Sequence, residues 1–388
     1  MNVPKLRFKE FNDEWDYKIF DELINIKSES YNPSLNKENY KCIELEHINQ
    51  NTGTINGYCN SQDQKSNKNI FKKNEVLFGK LRPYLKKYWY ATFDGVCSSE
   101  IWVGKSKNQN IVTNKFIYDL FQSHYFLQLC NLSTGSKMPR ADWSFIKEQS
   151  IAIPNILEQK KISETLELLD KKIELQSKKI EDLKLFKIYL NTRLFNNSKW
   201  NKVKLSEVLE ISNVRNKKNI YSKNDVLSVS DEFGVVNQID LQGRSFAAKD
   251  VSDYKIVSKG QIIYTRSPLS SKPYGIIKIV GNIEGIVSPL YIINNVKKEF
   301  IPKFIYYLFD LPSSTNNYLR PLVRMGAKHT MNINDDEWLS GEIYAPSIGE
   351  QEDIVNIFEI INKKIEIENN KLKKITEFKK GLMQNMFV

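Results

Sequence analysis

Basic and aromatic side chains are concentrated in two matching stretches of the chain, Gly79–Trp89 and Thr265–Tyr274. Arginine can bond a guanine edge through two hydrogen bonds, while lysine, serine and threonine can bond phosphate oxygens. A solvated surface charge is the commoner role for any one such residue, but their occurrence at corresponding places favours contact with DNA. The residues expected to make that contact are Lys80, Arg82, Lys86, Lys87, Lys137, Arg140, Arg266, Ser267, Lys272, Arg324 and Lys328.

The charge balance points the same way. The 388 residues carry a formal net charge of +11. The surplus lies mostly outside two long helical stretches near residues 156–197 and 347–388, where basic and acidic residues are almost balanced. A basic excess in the globular parts favours a polyanionic partner, most often nucleic acid, although solubility alone is the alternative explanation.

Residues for catalysis are sparse. The chain has three histidines and neither a G-x-x-x-x-G-K-[ST] nor a G-x-G-x-x-G motif, and Asp335, Asp336 and Glu342 are best interpreted as surface carboxylates. We therefore expect a chain that binds and does not catalyse, with no cofactor of its own. Four cysteines without a C-x-x-C pair, no signal peptide and no apolar run of about 20 residues predict a cytoplasmic protein without a membrane span.

An internal repeat dictates how these stretches are positioned. Pro154–Phe195 returns as Pro346–Phe387 without a gap, so one globular part followed by one long helix occurs twice. Apolar residues recur in both copies at alternating spacings of four and three, which is the seam of a coiled coil. The seam residues expected to form the coiled coil, and to which the resemblance described below would add partner docking, are Ile162, Leu166, Leu169, Ile173, Ile180, Ile354, Phe358, Ile361, Ile365 and Leu372.

Polar residues interrupt both seams at equivalent points. Gln176 corresponds to Glu368, and Lys187 corresponds to Lys379. Such residues either fix the register of the helices or extend their polar ends to solvent. Each helix of roughly 38 residues is about 57 Å long. Only the short linker 196–199 precedes the second globular part, so in a parallel pair that part, with a radius of gyration of about 15 Å, would have to span about 57 Å between its own ends. The helices are therefore expected to run antiparallel, with an approximate two-fold relation between the copies and with Met1 near the end of the second helix.

The globular parts repeat more faintly and mix helix with strand. Strands are predicted over Gln261–Thr265, Gly275–Val280 and Leu290–Ile293, and helices near Asn114–Cys130 and Lys303–Phe309. The sequence thus predicts an α+β protein in which two mixed α/β domains, residues 1–155 and 198–346, are separated by an antiparallel two-helix coiled coil with internal pseudo-two-fold symmetry. The spacer helices are expected at residues 156–197 and 347–388.

These features together resemble the specificity subunit of type I restriction–modification enzymes. The resemblance rests on the duplicated junction, which reads Pro154 followed by Glu158-Gln159 and Ile162, and then Pro346 followed by Glu350-Gln351 and Ile354. Heptad helices follow the junction in both copies. The second copy departs from the first where Glu352-Asp353 replaces Lys160-Lys161.

The resemblance implies two target-recognition domains that read the two halves of an interrupted, asymmetric site on double-stranded DNA. It also implies that the helices hold the domains apart and dock two modification subunits. Those subunits would bind S-adenosylmethionine and methylate adenine, and separate restriction (translocase) subunits would complete the complex. The alternatives are a coiled-coil scaffold whose two heads bind proteins, and a stand-alone nuclease or methyltransferase.

Overall fold

The computed structural model describes residues 3–36, 38–132, 138–266, 268–325 and 331–387. The chain divides into two compact units. Unit 1 comprises Met1–Ser177 and Asn370–Val388, and unit 2 comprises Lys178–Asn369. Each unit therefore contains one globular part and a portion of both long helices. None of the helices among the described residues is long and apolar enough to cross a membrane.

Unit 1 combines short strands with helices. Its strands are β1 Asp16–Ile19, β2 Ile24–Asn25, β3 Ser30–Tyr31, β4 Lys41–Ile43, β5 Cys59–Asn60, β6 Lys68–Phe71, β7 Val76–Gly79, β8 Tyr88–Tyr90, β9 Gly95–Ser98, β10 Ile101–Ser106 and β11 Ser150–Ile153. Its helices are α1 Phe20–Leu23, α2 Asn114–Gln122, α3 His124–Leu132, α4 Trp143–Ile146 and the first part of α5 Ile156–Phe195. The sheets have the orders β1-β11, β2-β10-β7-β8 and β3-β6-β9-β4-β5.

The helix predicted near Asn114–Cys130 is two helices. Thr113 caps the first, because its Oγ1 accepts a hydrogen bond from the backbone N–H of Phe116. Ser123 then takes an extended conformation, with φ −63° and ψ 151°, and ends α2 before α3 begins. The break lets both helices bury aromatic side chains, and Phe121 and Phe126 stack with their ring centroids 4.3 Å apart.

Unit 2 repeats part of this plan. Its strands are β12 Asn201–Lys204, β13 Leu209–Ile211, β14 Leu227–Ser230, β15 Gly234–Asn237, β16 Lys255–Val257, β17 Ile262–Thr265, β18 Ile276–Ile279, β19 Gly285–Val287, β20 Ile292–Val296, β21 Arg324–Met325, β22 Met331–Asn332 and β23 Glu342–Ala345. Its helices are α6 Leu205–Val208, α7 Gln238–Gln242, α8 Pro302–Leu308, α9 Pro312–Leu319, α10 Asp335–Ser340 and the first part of α11 Ile348–Asn385.

Equivalent elements of the two units pair in the same way. Antiparallel β1-β11 corresponds to antiparallel β12-β23, and the sheet β2-β10-β7-β8 corresponds to β13-β20-β17-β18. In each unit one apolar core extends from the globular part onto the long helices. Ile162, Leu166 and Met386 belong to the core of unit 1, and Ile354 and Phe358 belong to that of unit 2.

The long helices pair antiparallel within each unit. In unit 1, Met386 near the end of α11 packs in the same core as Ile162 near the start of α5, while Asp170 lies farther along and forms an ion pair with Lys379. In unit 2, Phe195 at the end of α5 stacks on Phe358 near the start of α11. Residue numbers that increase along α5 therefore face residue numbers that decrease along α11, which is the antiparallel pairing predicted from the sequence.

The amino-terminal segment lies against the end of α11 in unit 1. The backbone N–H of Leu6 donates to the carbonyl of Asn385 at 2.9 Å. Met1 itself lies outside the described residues. The expected closeness of the chain's beginning to the end of its last helix is therefore confirmed at Leu6.

Candidate nucleic-acid interface and helix surface

The first basic stretch forms a tight loop between β7 and β8, which we call the reading loop and define as Lys80–Lys87. Its centre is a 3-10 turn, Pro83–Leu85. Pro83 is buried, whereas the side chains of Arg82, Tyr84 and Lys86 are exposed. The loop thus turns a proline inward and presents two cations and one aromatic ring outward.

The predicted basic residues around this loop fall into two groups. Arg82 and Lys86 are exposed and Lys80 is half-buried, and their side chains have no hydrogen bond or ion pair within the described part of the chain. Lys87 is engaged internally, because its Nζ donates to the carbonyl of Leu45 at 2.5 Å. Arg140 is half-exposed and donates to both carboxylate oxygens of Glu100, at 3.1 and 3.3 Å. The first group is available to an external partner, and the second supports the loop.

The corresponding loop of unit 2 is arranged differently. The prediction that Lys272 contacts DNA is wrong, because its side chain is 2% exposed and its Nζ bonds Asp231 at 2.6 Å and the carbonyl of Asp310 at 3.1 Å. Burial alone would raise the pKa of Asp231, but Lys272 and Lys278 lower it below its ordinary value. Gly275 closes the loop with φ +110°, and a Cβ there would lie 2.1 Å from the carbonyl oxygen of Thr265.

The remaining predicted contacts in unit 2 are Arg266 and Arg324. Arg266 is half-buried, and its Nε is shielded from solvent without a hydrogen-bond partner among the described residues. The Arg324 side chain is 82% exposed and forms an ion pair with Glu337 at 3.1 Å. Lys137, Ser267 and Lys328, which the sequence also suggests, lie outside the described residues.

The duplicated glutamine of the repeat fastens each globular part to its long helix. Oε1 of Gln159 accepts from the backbone N–H of Thr113 at 3.0 Å, and Nε2 donates to the carbonyls of Ile111 and Pro154 at 2.7 and 2.9 Å. In the second copy, Gln351 accepts from the N–H of Ile301 and donates to the carbonyl of Pro346. Sequence reasoning found these residues as a motif but did not find their role.

The neighbouring glutamate distinguishes the two copies. Glu158 is fully buried and accepts two 2.7 Å bonds from Arg7 and one from the indole N–H of Trp15. Glu350 is exposed and accepts from Trp200 at 2.9 Å. The amino-terminal segment of unit 1 thus supplies a cation that buries the first glutamate.

The predicted seam is the inward face of the helices, so the expectation that its residues also form the docking surface for partners has to be corrected, because their side chains are already covered. The ten seam residues are all buried or half-buried: Ile162, Leu166, Leu169, Ile173, Ile180, Ile354, Phe358, Ile361, Ile365 and Leu372. Both seam lysines reach carboxylates and do not extend to solvent. Lys187 pairs with Asp310 at 3.0 Å, and Lys379 pairs with Asp170 at 2.5 Å. Glu368 is fully buried and pairs with Lys179 at 3.1 Å.

Beside the Lys379 pair lies a buried carboxyl group, Asp119 of α2. One of its oxygens, Oδ2, has no hydrogen-bond partner among the described residues. Burial raises the pKa of Asp119 from an ordinary 3.8 to about 7, although the nearby ammonium groups of Lys115 and Lys379 act to lower it. The corresponding position of the second copy is Tyr307, whose hydroxyl donates to Glu359 at 2.5 Å.

A second set of apolar residues on the helices remains exposed. Leu168 and Leu175 are 67% and 69% exposed, and their counterparts at the repeat offset, Ile360 and Ile367, are 69% and 41% exposed. A spacing of seven residues places both members of each pair on one side of their helix. Large exposed apolar residues at repeated positions are typical of an interaction surface.

Comparisons with known proteins agree with this architecture. The model of the family described as "Type I restriction modification DNA specificity domain" matches residues 12–185 and 197–377. The type I restriction enzyme EcoDI specificity subunit of Escherichia coli is 27% identical over 160 residues, 40% of this chain. The match spans only about a third, 35%, of that relative.

Solved structures share the fold. One, described as a structural basis for complex assembly and conformational transition of the type I R-M system, has a TM-score of 0.60 at 16% identity, over 95% of this chain and 96% of that chain. A type I restriction–modification S subunit from M. genitalium has a TM-score of 0.58 at 16% identity, over 100% and 99%. An HsdS subunit from Thermoanaerobacter tengcongensis has a TM-score of 0.50 at 16% identity, over 95% of both chains.

At such low identity these structures establish the fold alone, and they confirm the predicted α+β class with its duplicated domain and helix. The family match covers both copies and most of the sequence. Because it does so, the chain belongs to the family of type I restriction–modification DNA specificity proteins.

Proposed function

We propose that this chain is the non-catalytic specificity subunit of a type I restriction–modification complex and that it reads an asymmetric, two-part site on double-stranded DNA. The observation that carries the proposal is the contrast between the copies. Both fasten their domains through the same glutamine bonds, whereas the reading loop exposes its cations and the equivalent loop of unit 2 buries Lys272 against Asp231. Similar scaffolds with unlike heads suit the recognition of two different half-sites.

The DNA contacts in this proposal come from the basic residues that have no internal partner. Lys80, Arg82 and Lys86 serve the first domain, residues 1–155, and Arg266 serves the second, residues 198–346. Lysines bind phosphates without regard to sequence, and arginines can bond base edges in the major groove. The net charge of +11 supplies the general attraction to the polyanion.

The exposed apolar pairs on the helices support docking of the modification subunits. Those subunits supply S-adenosylmethionine and the methylation chemistry, and restriction subunits supply translocation and cleavage. Leu168→Glu with Leu175→Glu should weaken capture of a modification subunit without unfolding the chain, because both side chains already face solvent. Leu35→Glu, at a residue 80% exposed in the globular part, is the matched control.

The helices are also proposed to set the distance between the half-sites. A helix of 40 residues is about 60 Å long, which exceeds one turn of DNA, about 34 Å. Insertion of one heptad in only one helix should disrupt pairing, whereas matched insertions in both should change the unread gap. A folded matched variant with an unchanged gap would refute this role.

The deciding experiment is selection of bound duplexes from a randomised pool by the full chain assembled with its modification subunits. The expected result is one asymmetric motif with a fixed gap, with affinity that falls steeply as salt rises. Methylome sequencing of cells with and without the gene should show adenine methylation at that motif. Retention of protein partners without any selected duplex at low salt would instead favour a coiled-coil scaffold.

A further inference from the structure

Backbone strain is concentrated at the reading loop. Within the described part of the chain, the non-glycine residues with positive φ are Asn51, Asn74, Arg82, Lys86 and Asn219. Asparagine adopts this left-handed conformation comparatively easily, whereas arginine and lysine rarely do. Arg82 has φ 52° and ψ 61°, and Lys86 has φ 51° and ψ 51°. Both therefore hold an unfavourable conformation on either side of the turn Pro83–Leu85.

A third left-handed residue is attached to the same place. The backbone N–H of Asn51, at φ 58°, donates to the carbonyl of Lys86 at 2.9 Å. The neighbouring residue Gln50 forms an antiparallel bridge with Lys87. The turn around Asn51 and the reading loop therefore support each other, although they are about 30 positions apart in the sequence.

Hydrogen bonds on both sides hold the strained backbone in place. The N–H of Arg82 donates to the carbonyl of Pro139 at 2.7 Å, and the N–H of Ala141 donates to the carbonyl of Lys80 at 2.8 Å. The N–H of Lys80 donates to the carbonyl of Glu100 at 3.0 Å. Helix α3 packs against the turn. Such a backbone cannot relax without breaking several bonds, and strained conformations persist only where the surroundings impose them.

The side chains of the loop contrast with its backbone. The side chains of Arg82, Tyr84 and Lys86 are exposed, and none of these side chains has a hydrogen bond or ion pair within the residues the structure describes. The adjacent Arg140, by comparison, is held by Glu100. Structural stability alone does not require strained residues whose side chains have no polar partner among the described residues, whereas a binding element gains from a backbone that is already fixed.

We propose that the reading loop is a preformed base-reading element for double-stranded DNA. Arg82 bonds the acceptor edge of a guanine, Tyr84 packs on an adjacent apolar base edge, and Lys86 binds a flanking phosphate. The assignment follows from their chemistry, because the planar guanidinium matches two acceptors at once while an ammonium acts as a point charge. It rests on the proposed function and adds a separate role for each of the three side chains and a fixed backbone that presents them to one half-site.

The first test separates base reading from general charge. Arg82→Lys keeps the charge but loses the two-point geometry. In the full chain assembled with its modification subunits, it should reduce discrimination at one base pair by about tenfold or more, with the salt dependence of binding unchanged. Lys27→Ala removes an exposed lysine of the same unit outside the loop and should leave discrimination unchanged. Wild-type discrimination in the Arg82→Lys complex would overturn the assignment.

The second test addresses the fixed backbone. Lys86→Ala and Lys86→Gly remove the same charge, but only glycine relieves the positive φ. Lys86→Gly should melt at the same or a higher temperature than Lys86→Ala, yet bind the selected duplex at least about threefold more weakly because the loop becomes mobile. Equal affinities of the two variants would show that the strain has no part in binding.

A control and the wild type separate the possible failures. Asn74→Gly relieves a left-handed residue outside the loop and should change neither affinity nor discrimination. A wild-type complex that selects no duplex at low salt would remove the proposed function itself. If the wild-type complex selects a motif and the Arg82→Lys and Lys86→Gly complexes bind it with the same affinity and discrimination, only the role proposed for the reading loop would be rejected.

Discussion

The buried carboxyl of Asp119 makes unit 1 sensitive to pH. Its pKa is about 7 in the folded chain because of burial, compared with an ordinary 3.8 when solvated. Between these values the folded state holds a proton that the unfolded state has lost, so the free energy of unfolding decreases as pH rises from about 4 to 7. A difference of about three pKa units corresponds to roughly 4 kcal/mol lost above pH 7.

Asp119→Asn preserves the shape of the side chain and removes the titration. At pH 8 the free energy of unfolding of the variant should exceed that of the wild type by about 2–4 kcal/mol. An amide hydrogen left without a hydrogen-bond partner would reduce this gain by about 1 kcal/mol. The two should converge near pH 4. Hydrogen exchange of the α2 amides measures this because it reports on unit 1 alone. Asp63→Asn, at an exposed carboxyl of the same unit, is the control.

Three outcomes at Asp119 would refute the reasoning. The first is a variant with the same pH profile as the wild type. The second is a difference that grows towards pH 4, which would mean that the carboxylate is stabilised when charged. The third is an equal change in the amides of α8, where the corresponding residue is Tyr307, since burial at Asp119 should act within its own unit.

Other perturbations follow from the junction, the seam and the linker. Gln159→Ala should lower the stability of unit 1 by about 2–4 kcal/mol, because buried backbone groups lose their hydrogen-bond partners, and Gln351→Ala should lower that of unit 2 by as much. If either single variant caused equal losses in both units, as measured by hydrogen exchange, this expectation would be wrong. Lys187→Met should cost about 1–3 kcal/mol in urea unfolding by removing the ion-pair partner of Asp310, and no loss would show that the pair is dispensable. A permutant with joined ends, opened within 196–199, should fold and melt within a few degrees of the wild type in calorimetry, and an unfolded product would count against it.

Features encoded by local periodicity could be read from the sequence. The seam was predictable because apolar residues in a coiled coil repeat every seven residues, and this period occurs in both copies of the repeat. Strand β17, Ile262–Thr265, was predictable because β-branched and aromatic residues are concentrated there. Antiparallel pairing followed from chain connectivity, since a parallel pair would force the ends of the second globular part about one helix length apart.

Features that depend on distant partners could not be read in this way. Lys272 looks like a surface cation in a basic loop, but Asp231, 41 positions earlier, draws it into the interior. The left-handed conformations of Arg82 and Lys86 could not be read from nearby residues, because they are held by hydrogen bonds to distant ones: Arg82 donates to the carbonyl of Pro139, and Lys86 accepts from the N–H of Asn51. Candidate DNA-contact residues could therefore be proposed from their residue type and their position in the sequence. Whether each side chain is free to bind a partner depends on the residues that surround it in the folded chain.

The glutamine junction has a consequence for inheritance. The hydrogen bonds of Gln159 and Gln351 all run to backbone atoms, so these bonds do not depend on which side chains the attached domain carries. A genetic crossover at this point would keep these glutamine bonds while it changed the apolar side chains that the domain packs against the long helices. A whole domain could therefore be exchanged at the junction only if the incoming domain also presents apolar residues that fit the same helix faces.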